Sequence, residues 1–170
     1  RHVNAVIFDK TGTLTLGEHR VVDAVTVNGL PSDEALRLAA ALEHDSEHPV
    51  ARAIVRSAEE RGLPVPASAE FEYLPGRGVR GTIERRRLAA GGPNLLLELG
   101  VQLDAALRSA AERAAARGQG AIYLVENGRA IAVFAVADAI RPESIEAVRR
   151  LHEANVEVFM LTGDARAVAD

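Results

Sequence analysis

The stretch NAVIFDKTGTLT, residues 4–15, decides how the rest of the chain is interpreted. It begins with a short apolar run, residues 5–8, that contains β-branched and aromatic side chains. Such a run is typical of a strand buried on both faces of a parallel sheet. The run stops at Asp9, and a cluster of threonine and glycine follows. We therefore expect Asp9 at the carboxyl end of a strand, where open α/β sheets place their functional groups.

Asp9 has the neighbours of a carboxylate that attacks phosphate. Such a carboxylate accepts a phosphoryl group as an acyl phosphate if cations and N–H donors neutralise the transferred charge. Lys10 follows directly and is the only lysine among 20 basic residues, which indicates that a compact charge is needed here. Gly12 lets backbone N–H groups approach a phosphate. An ordinary turn after a strand is the alternative, and for DKTG alone it would be the better interpretation.

The seven residues DKTGTLT, at 9–15, are the phosphorylation signature of the P-type ATPases, and the chain resembles that family. The resemblance implies a haloacid-dehalogenase-like α/β domain in which Asp9 accepts the γ-phosphoryl group of ATP. It also implies that Asp9 and the carbonyl of Thr11 hold Mg²⁺. Soluble phosphatases of this class carry a second aspartate where this chain has Thr11. Without that acid/base group, a long-lived phosphoenzyme is expected.

Composition argues against several classes of function. The net charge of −4 and the isoelectric point near 5.8 argue against nucleic acid as a partner. The chain has no cysteine, so it has neither a disulfide framework nor a thiolate metal site. No apolar run approaches the roughly 20 residues that span a bilayer. Because a pump needs such segments, we expect this chain to lie on the cytoplasmic face of a multi-pass membrane protein whose actuator and transmembrane domains lie elsewhere.

Two mainly apolar runs, at residues 5–8 and 156–161, lie at opposite ends of the chain. The middle alternates between antiparallel strand patterns and helices, which is an α+β pattern. The prediction is therefore an α/β phosphorylation domain at residues 1–16 and 134–170, with a nucleotide-binding domain inserted at 17–133. The family's later GDGxND segment has no counterpart. We therefore expect the phosphorylation domain to be incomplete, and the chain to bind ATP through its inserted domain but to turn it over poorly or not at all.

A glutamate, a histidine and a Gly-x-Gly sequence in the middle of the chain could serve a purine nucleotide. Carboxyl and imidazole groups hydrogen-bond a purine edge, and glycine lets a ligand approach the backbone. Each signal alone is better explained by a helix cap or a turn. Together, SEHP at 46–49 and PGRG at 75–78 resemble the nucleotide domain of the heavy-metal, or CPx-type, ATPases. The resemblance implies that the ATP pocket is lined by Glu43, His48, Gly76 and Gly78.

Two motifs near the end of the chain complete the candidate site. DAIRP at 138–142 is predicted to be a loop and resembles the family's Asp-x-x-Arg motif, which implies that Asp138 and Arg141 serve the nucleotide. Thr162-Gly163-Asp164 follows the second apolar run and resembles the family's TGD motif, which implies that it holds the transferred phosphate. For both motifs, an ordinary turn next to a helix is the alternative.

We interpret the chain as part of an ATP-driven heavy-metal pump, with copper favoured as the transported ion. The expected catalytic residues are Asp9, Lys10 and Thr11 together with Thr162, Gly163 and Asp164, and the expected cofactors are ATP and Mg²⁺. The transported ion is expected to bind elsewhere in the full-length protein, because five histidines and no cysteine form no recognisable ligand set. A soluble haloacid-dehalogenase-like phosphatase and a non-catalytic nucleotide-binding module remain the alternatives.

Overall fold

The computed structural model describes residues 3–161 and contains strands and helices in alternation. Most predicted strands and helices are present, and several extend further than the sequence pattern indicated. The elements are β1 Ala5–Asp9, β2 Thr15–Thr26, α1 Ser32–Glu43, α2 Pro49–Glu60, β3 Ala69–Leu74, β4 Gly78–Ile83, β5 Arg86–Gly91, α3 Pro93–Leu99, α4 Ala105–Ala116, β6 Gly120–Glu126, β7 Arg129–Ile140, α5 Pro142–Glu153 and β8 Glu157–Leu161.

The larger of two sheets has six antiparallel strands in the order β2-β7-β6-β5-β4-β3. Apolar side chains alternate between its faces, and helices cover both. Helices α1 and α2 pack on one face around Leu36, Ile54 and Phe134. Helices α3 and α4 pack on the other around Leu95 and Leu107. This is the α+β unit that the middle of the sequence predicts.

The smaller sheet contains only β1 and β8, which pair in parallel from Ala5↔Glu157 to Asp9↔Leu161. The larger sheet is formed by the chain that runs between these two strands. The carboxyl ends of β1 and β8 therefore lie side by side. Asp9 stands at this end of the sheet, as the sequence predicted.

The prediction that the two apolar strands are buried on both faces is wrong. Ile7, Phe159 and Leu161 are 69%, 51% and 65% exposed. Within the described residues this sheet has two strands, and one helix, α5, packs against β8. Alternate residues of each strand are therefore half-buried and the others face solvent.

The strands β2 and β7 connect the two sheets of the molecule. They pair from Thr15↔Ile140 to Thr26↔Ala132, with two irregularities in register. The predicted domain boundaries, at 16/17 and 133/134, fall inside these strands, and the division into domains stays a prediction. None of the helices within residues 3–161 combines the length and the apolar character that crossing a bilayer requires.

Candidate functional site

The chain makes one wide turn, Lys10–Leu14, directly after Asp9. The N–H of Thr15 closes this turn by donating to the carbonyl of Lys10, which is π-helical geometry. Turns of this kind occur frequently at functional sites. Asp9 itself is exposed, so its carboxylate is accessible to a ligand at the end of the small sheet. Thr11 lies within the turn.

The side chain of Thr15 attaches the turn to strand β7. Thr15 is only 2% exposed, and its Oγ1 lies 2.5 Å from Oδ2 of Asp138. The same oxygen lies 3.1 Å from the carbonyl of Lys10 and accepts the N–H of Gly12 at 3.1 Å. A hydroxyl has one proton to donate, and the shorter distance favours donation to Asp138.

Arg141 donates hydrogen bonds to three backbone carbonyl groups that lie in, or directly after, the same turn. Its Nε donates to the carbonyl of Thr15 at 2.9 Å and its Nη2 to that of Gly12 at 3.3 Å. The backbone N–H of Arg141 donates to the carbonyl of Leu14 at 3.0 Å. Asp138 and Arg141 therefore contact the turn that follows Asp9, and their predicted role in binding the nucleotide stays a prediction.

The prediction of a loop at residues 138–142 is wrong for its first half. Strand β7 continues through Asp138 to Ile140, because β2 begins at Thr15 and gives these residues pairing partners. Asp138 is paired with His19 in this register. The sequence pattern alone did not indicate that β2 starts so early.

Four residues predicted to line an ATP pocket come together at one cavity of about 270 Å³. Glu43 is the last residue of α1, and His48 precedes α2. Gly76 lies in the turn between β3 and β4, and Gly78 is the first residue of β4. The walls are completed by Ser46, Val50, Ala51, Tyr73, Arg77, Val79, Gly91, Gly92 and Ile122. The cavity is thus a mainly apolar cleft with few polar groups, which is usual for a site that binds a small molecule.

Glu43 is the buried carboxyl group of this cavity, with 6% exposure. Burial raises the pKa of Glu43 to about 7, although a hydrogen bond with the Ser46 side chain acts in the opposite direction. Near neutral pH the group is therefore present in both its protonated and its ionised form. A protonated carboxyl donates one hydrogen bond and still accepts others, which suits the mixed edge of a purine base.

His48 is both a helix cap and a wall of the cavity. Its Nδ1 accepts the backbone N–H of Val50 at 3.2 Å, and Pro49 is the first residue of α2. A neutral imidazole whose Nδ1 accepts a hydrogen bond carries its proton on Nε2. The exposed ring therefore presents an N–H donor at the cavity while its other nitrogen caps the helix.

The two glycines of the Gly-x-Gly sequence have different roles. Gly76 has φ +70° in a turn that is closed by the Arg77 N–H donating to the Leu74 carbonyl at 3.0 Å, and no atom lies within 4 Å of an added Cβ. Gly78 has φ +143°, and a Cβ there would lie 2.0 Å from the carbonyl oxygen of Ala90. Gly78 is therefore required for the close approach of β4 and β5, whereas Gly76 leaves space open beside the turn.

Helix α3 holds this turn in place. Nδ2 of Asn94 donates to the Gly76 carbonyl at 3.3 Å. Nε of Arg77 lies 2.6 Å from Oε2 of Glu98. These contacts, at the middle and the last residue of the turn, hold one wall of the cavity against α3.

A second cavity, of about 580 Å³, adjoins the first and reaches the turn that follows Asp9. The two cavities share Val50, Gly92 and Ile122 as lining residues. The second is also lined by Lys10, His19 and Asp138. Nδ1 of His19 and Oδ1 of Asp138 are buried and have no hydrogen-bond partner within residues 3–161. The two cavities therefore lie side by side, the first at Glu43 and His48 and the second reaching the residue next to Asp9.

Comparison with known proteins decides the family. The profile of the haloacid dehalogenase-like hydrolases matches residues 3–170. The chain belongs to the haloacid dehalogenase-like hydrolases. This confirms the fold class that was predicted from residues 4–15.

Within this hydrolase family, the relatives are ion pumps. The chain is 43% identical over 169 residues to the copper-exporting P-type ATPase B of Archaeoglobus fulgidus, an alignment that covers 99% of this chain and 24% of that protein. The crystal structure of a zinc-transporting PIB-type ATPase in the E2.Pi state matches 98% of the chain and 27% of that protein, with a TM-score of 0.87 and 31% identity. The resemblance to heavy-metal P-type ATPases is confirmed, and the chain spans about a quarter of the length of these relatives.

A third comparison concerns the catalytic part alone. The catalytic domain of the CPx-ATPase CopB-B, described for its conformational changes upon nucleotide binding, matches with a TM-score of 0.68 and 27% identity. The match covers 96% of this chain and 55% of that domain. The described fold is therefore that of the catalytic domains of P-type ATPases.

A further groove, of about 490 Å³, lies over strands β3 to β5 of this hydrolase-family chain and contains none of the predicted site residues. Four of its polar side chains bind each other. Nη2 of Arg80 lies 2.7 Å from Oε2 of Glu72, and the Thr82 hydroxyl donates to Glu70 at 2.8 Å. We therefore place the candidate site at the two adjoining cavities.

One predicted group of site residues cannot be compared with the structure, and two residues of the first cavity were not predicted. Thr162-Gly163-Asp164 lies outside the described residues. Sequence reasoning missed Tyr73 and Ile122, which line the first cavity. Tyr73 stands three residues before Gly76, so the Pro-Gly turn was a usable signal. Nothing in the local sequence marked Ile122, which belongs to β6.

Proposed function

We propose that this chain binds ATP with Mg²⁺ and accepts the γ-phosphate on Asp9, as the cytoplasmic part of a multi-pass membrane pump that transports copper. The single observation that carries the proposal is the shared wall of the two cavities. One cavity is lined by Glu43 and His48, and its neighbour is lined by Lys10. A nucleotide whose base lies in the first cavity directs its phosphates through the second towards Asp9.

The proposed reaction is the attack of an Asp9 carboxylate oxygen on the γ-phosphorus. A new O–P bond forms, the bond between the γ-phosphorus and the bridging oxygen breaks, and ADP leaves. Lys10 neutralises negative charge on the phosphates. The contacts of Thr15 with Asp138, and of Arg141 with the turn carbonyls, keep the turn after Asp9 in one conformation. Their part in the reaction is therefore to position the backbone around the reacting group.

The donor atoms near Asp9 suit Mg²⁺. A carboxylate and a backbone carbonyl, from Asp9 and Thr11, are hard oxygen ligands of the kind this ion prefers. No group of three or more His, Cys, Asp or Glu side chains that could hold a metal ion occurs within residues 3–161. The two protein oxygens would therefore share the ion with phosphate oxygens of the nucleotide, as is usual for Mg²⁺ in phosphoryl transfer. When bound, Mg²⁺ supplies positive charge against the developing charge of the transferred group.

Copper as the transported ion, and the actuator and transmembrane domains as partners, are supported by the relatives. The curated relatives at 36–43% identity are copper-exporting or copper-transporting ATPases. The similar zinc-transporting structure shows that the same catalytic fold also serves another metal. The choice of copper therefore rests on relatives and not on the geometry of this chain.

The test is calorimetric titration of the 170-residue chain with MgATP, comparing His48→Gln with His44→Gln. His48 lines the first cavity, whereas His44 is an exposed histidine nearby that lines neither the first nor the second cavity. We expect the wild type to bind ATP and His44→Gln to bind it equally well. His48→Gln should bind ATP at least about tenfold more weakly, because a hydrogen bond to the base and a contact with the imidazole ring are lost. Equal affinity of all three proteins would refute the site.

A further inference from the structure

Tyr73 is an aromatic residue whose side chain is exposed at the first cavity. It is 57% exposed and lines the cavity together with His48 and Glu43. Aromatic residues make up only 4% of the chain, and Tyr123 and Phe134, in the large sheet, are 4% and 0% exposed. Tyr73 therefore contributes little to the core, and its exposure on a cavity wall calls for another explanation.

Strand pairing and contacts of the adjacent turn fix the backbone position of Tyr73. Tyr73 is paired with Val79 across β3 and β4, and Val79 lines the same cavity. The turn that follows is fixed by the Asn94 contact and by the ion pair of Arg77 with Glu98. His48 is brought to the cavity by a different element, at the start of α2. Two flat rings thus reach one small cavity from separate and ordered parts of the chain.

The cavity supplies what a purine base needs besides flat rings. Val79 and Ile122 give apolar walls, and Glu43 is a buried hydrogen-bonding group that can meet the edge of the base. Aromatic side chains stack on bases because every base has a π face, and the gain depends on the base rather than on its phosphates. An aromatic ring on the wall of such a cavity therefore contributes to binding of the nucleotide base rather than of its phosphates.

We infer that Tyr73 binds the purine ring of the nucleotide by stacking and is a further binding residue of this site. The inference rests on the proposed function, because it assumes that the first cavity takes the base of ATP. It adds a residue that favours purines over pyrimidines, since the larger ring system offers more area for stacking. It predicts that the tyrosine ring matters and that its hydroxyl does not.

The test uses calorimetric titration of the 170-residue chain with MgATP and three variants. We expect Tyr73→Ala to weaken binding roughly tenfold, because the stacking of the base on the ring is lost. Tyr73→Phe keeps the ring and should bind ATP like the wild type. Phe71→Ala is the matched control, because Phe71 is a partly exposed aromatic residue of the same strand that does not line either cavity. Repeating the titration with MgCTP should show a smaller loss in Tyr73→Ala.

Tyrosine fluorescence provides a second measurement that a change in stability does not affect. The chain contains two tyrosines and no tryptophan, and Tyr73 is the exposed one. We expect MgATP to quench the fluorescence of the wild type and to leave that of Tyr73→Phe, in which Tyr123 alone emits, unchanged. If Tyr73→Ala does not fold, the difference between wild type and Tyr73→Phe still decides the question.

Two outcomes would overturn the inference in distinguishable ways. If the wild type and Tyr73→Ala bind MgATP equally and the wild-type fluorescence does not respond, Tyr73 does not stack on the base, while the proposed function stands. If the folded wild type does not bind MgATP at all, the proposed function fails, and the role of Tyr73 fails with it.

Discussion

The two sheets of this molecule differ in how many buried side chains they contribute to a hydrophobic core. Every buried side chain among the described residues lies between Thr15 and Val136, in and around the six-stranded sheet. Strands β1 and β8 contain no buried residue, and neither does helix α5. The six-stranded sheet is covered by helices on both faces, whereas the two-stranded sheet is covered on one.

This difference separates two functions along the chain. The cavity of Glu43, His48, Gly76 and Gly78 is built on elements that have their own core, so binding of the nucleotide base is expected to depend mainly on that core. Asp9 stands on the strand pair without a core, and its turn is attached to β7 through Thr15 and Arg141. We therefore expect changes in the two regions to act separately on binding, phosphorylation and stability.

The largest expected effect concerns Asp9. In the full-length protein, Asp9→Asn should abolish the incorporation of labelled γ-phosphate from ATP, because an amide cannot form the acyl phosphate. In the 170-residue chain titrated with ATP in the absence of Mg²⁺, the same change should not weaken binding, since it removes a negative charge near the expected position of the phosphates. Phosphate incorporation and calorimetry give the two measurements. Loss of ATP binding in Asp9→Asn would show that the two regions are not separate.

A matched pair of phenylalanines tests the difference in stability. Phe134 is fully buried in the large sheet, and Phe159 is 51% exposed in the small one. Phe134→Ala should lower the free energy of unfolding by about 3–5 kcal/mol through lost burial and a cavity. Phe159→Ala should lower it by about 1 kcal/mol or less. Urea unfolding followed by circular dichroism measures both, and equal losses would contradict the difference between the sheets.

The smallest expected effect is a pH dependence that comes from Glu43. Burial raises its pKa from an ordinary value of 4.5 to about 7, so between these values the folded chain keeps a proton that the unfolded chain has released. The free energy of unfolding should therefore fall as pH rises through this window, by an amount on the order of 3 kcal/mol, and level off above it.

The variant Glu43→Gln isolates this effect. It removes the titrating group, so its stability relative to the wild type should increase from pH 4.5 to 7. Exposed Glu112→Gln is the matched control, because it removes a carboxylate that is not buried. Urea unfolding at a series of pH values measures the difference. If wild type and Glu43→Gln keep a constant difference across this range, Glu43 is not a buried titrating group in the folded chain.

Local sequence was sufficient for those parts of the site that consist of contiguous residues. The signature after β1 placed Asp9 at the end of a strand, and the SEHP and PGRG sequences indicated the residues that meet at the first cavity. In both cases glycine, proline and cap residues determine the backbone within a few positions. The strand patterns in the middle of the chain likewise predicted most strands of the large sheet.

Contacts between distant residues could not be predicted in the same way. The hydrogen bond between Thr15 and Asp138 joins residues 123 positions apart, and it depends on a register that no local pattern specifies. The exposure of Ile7 was missed because an apolar run does not reveal how many neighbouring strands or helices cover it. Ile122 lines the cavity only because β6 lies next to β5 and β7 in the sheet.

The position of the nucleotide can be measured most directly by mapping backbone NMR shifts of the 170-residue chain during titration with MgATP. We expect the largest changes at residues 43–51 and 74–79 and at Ile122, with further changes at Lys10 along the second cavity. Changes that instead cluster at Glu70, Glu72, residues 80–82, Asn127 and Gly128, which line the separate groove of about 490 Å³, would contradict the site proposed for ATP.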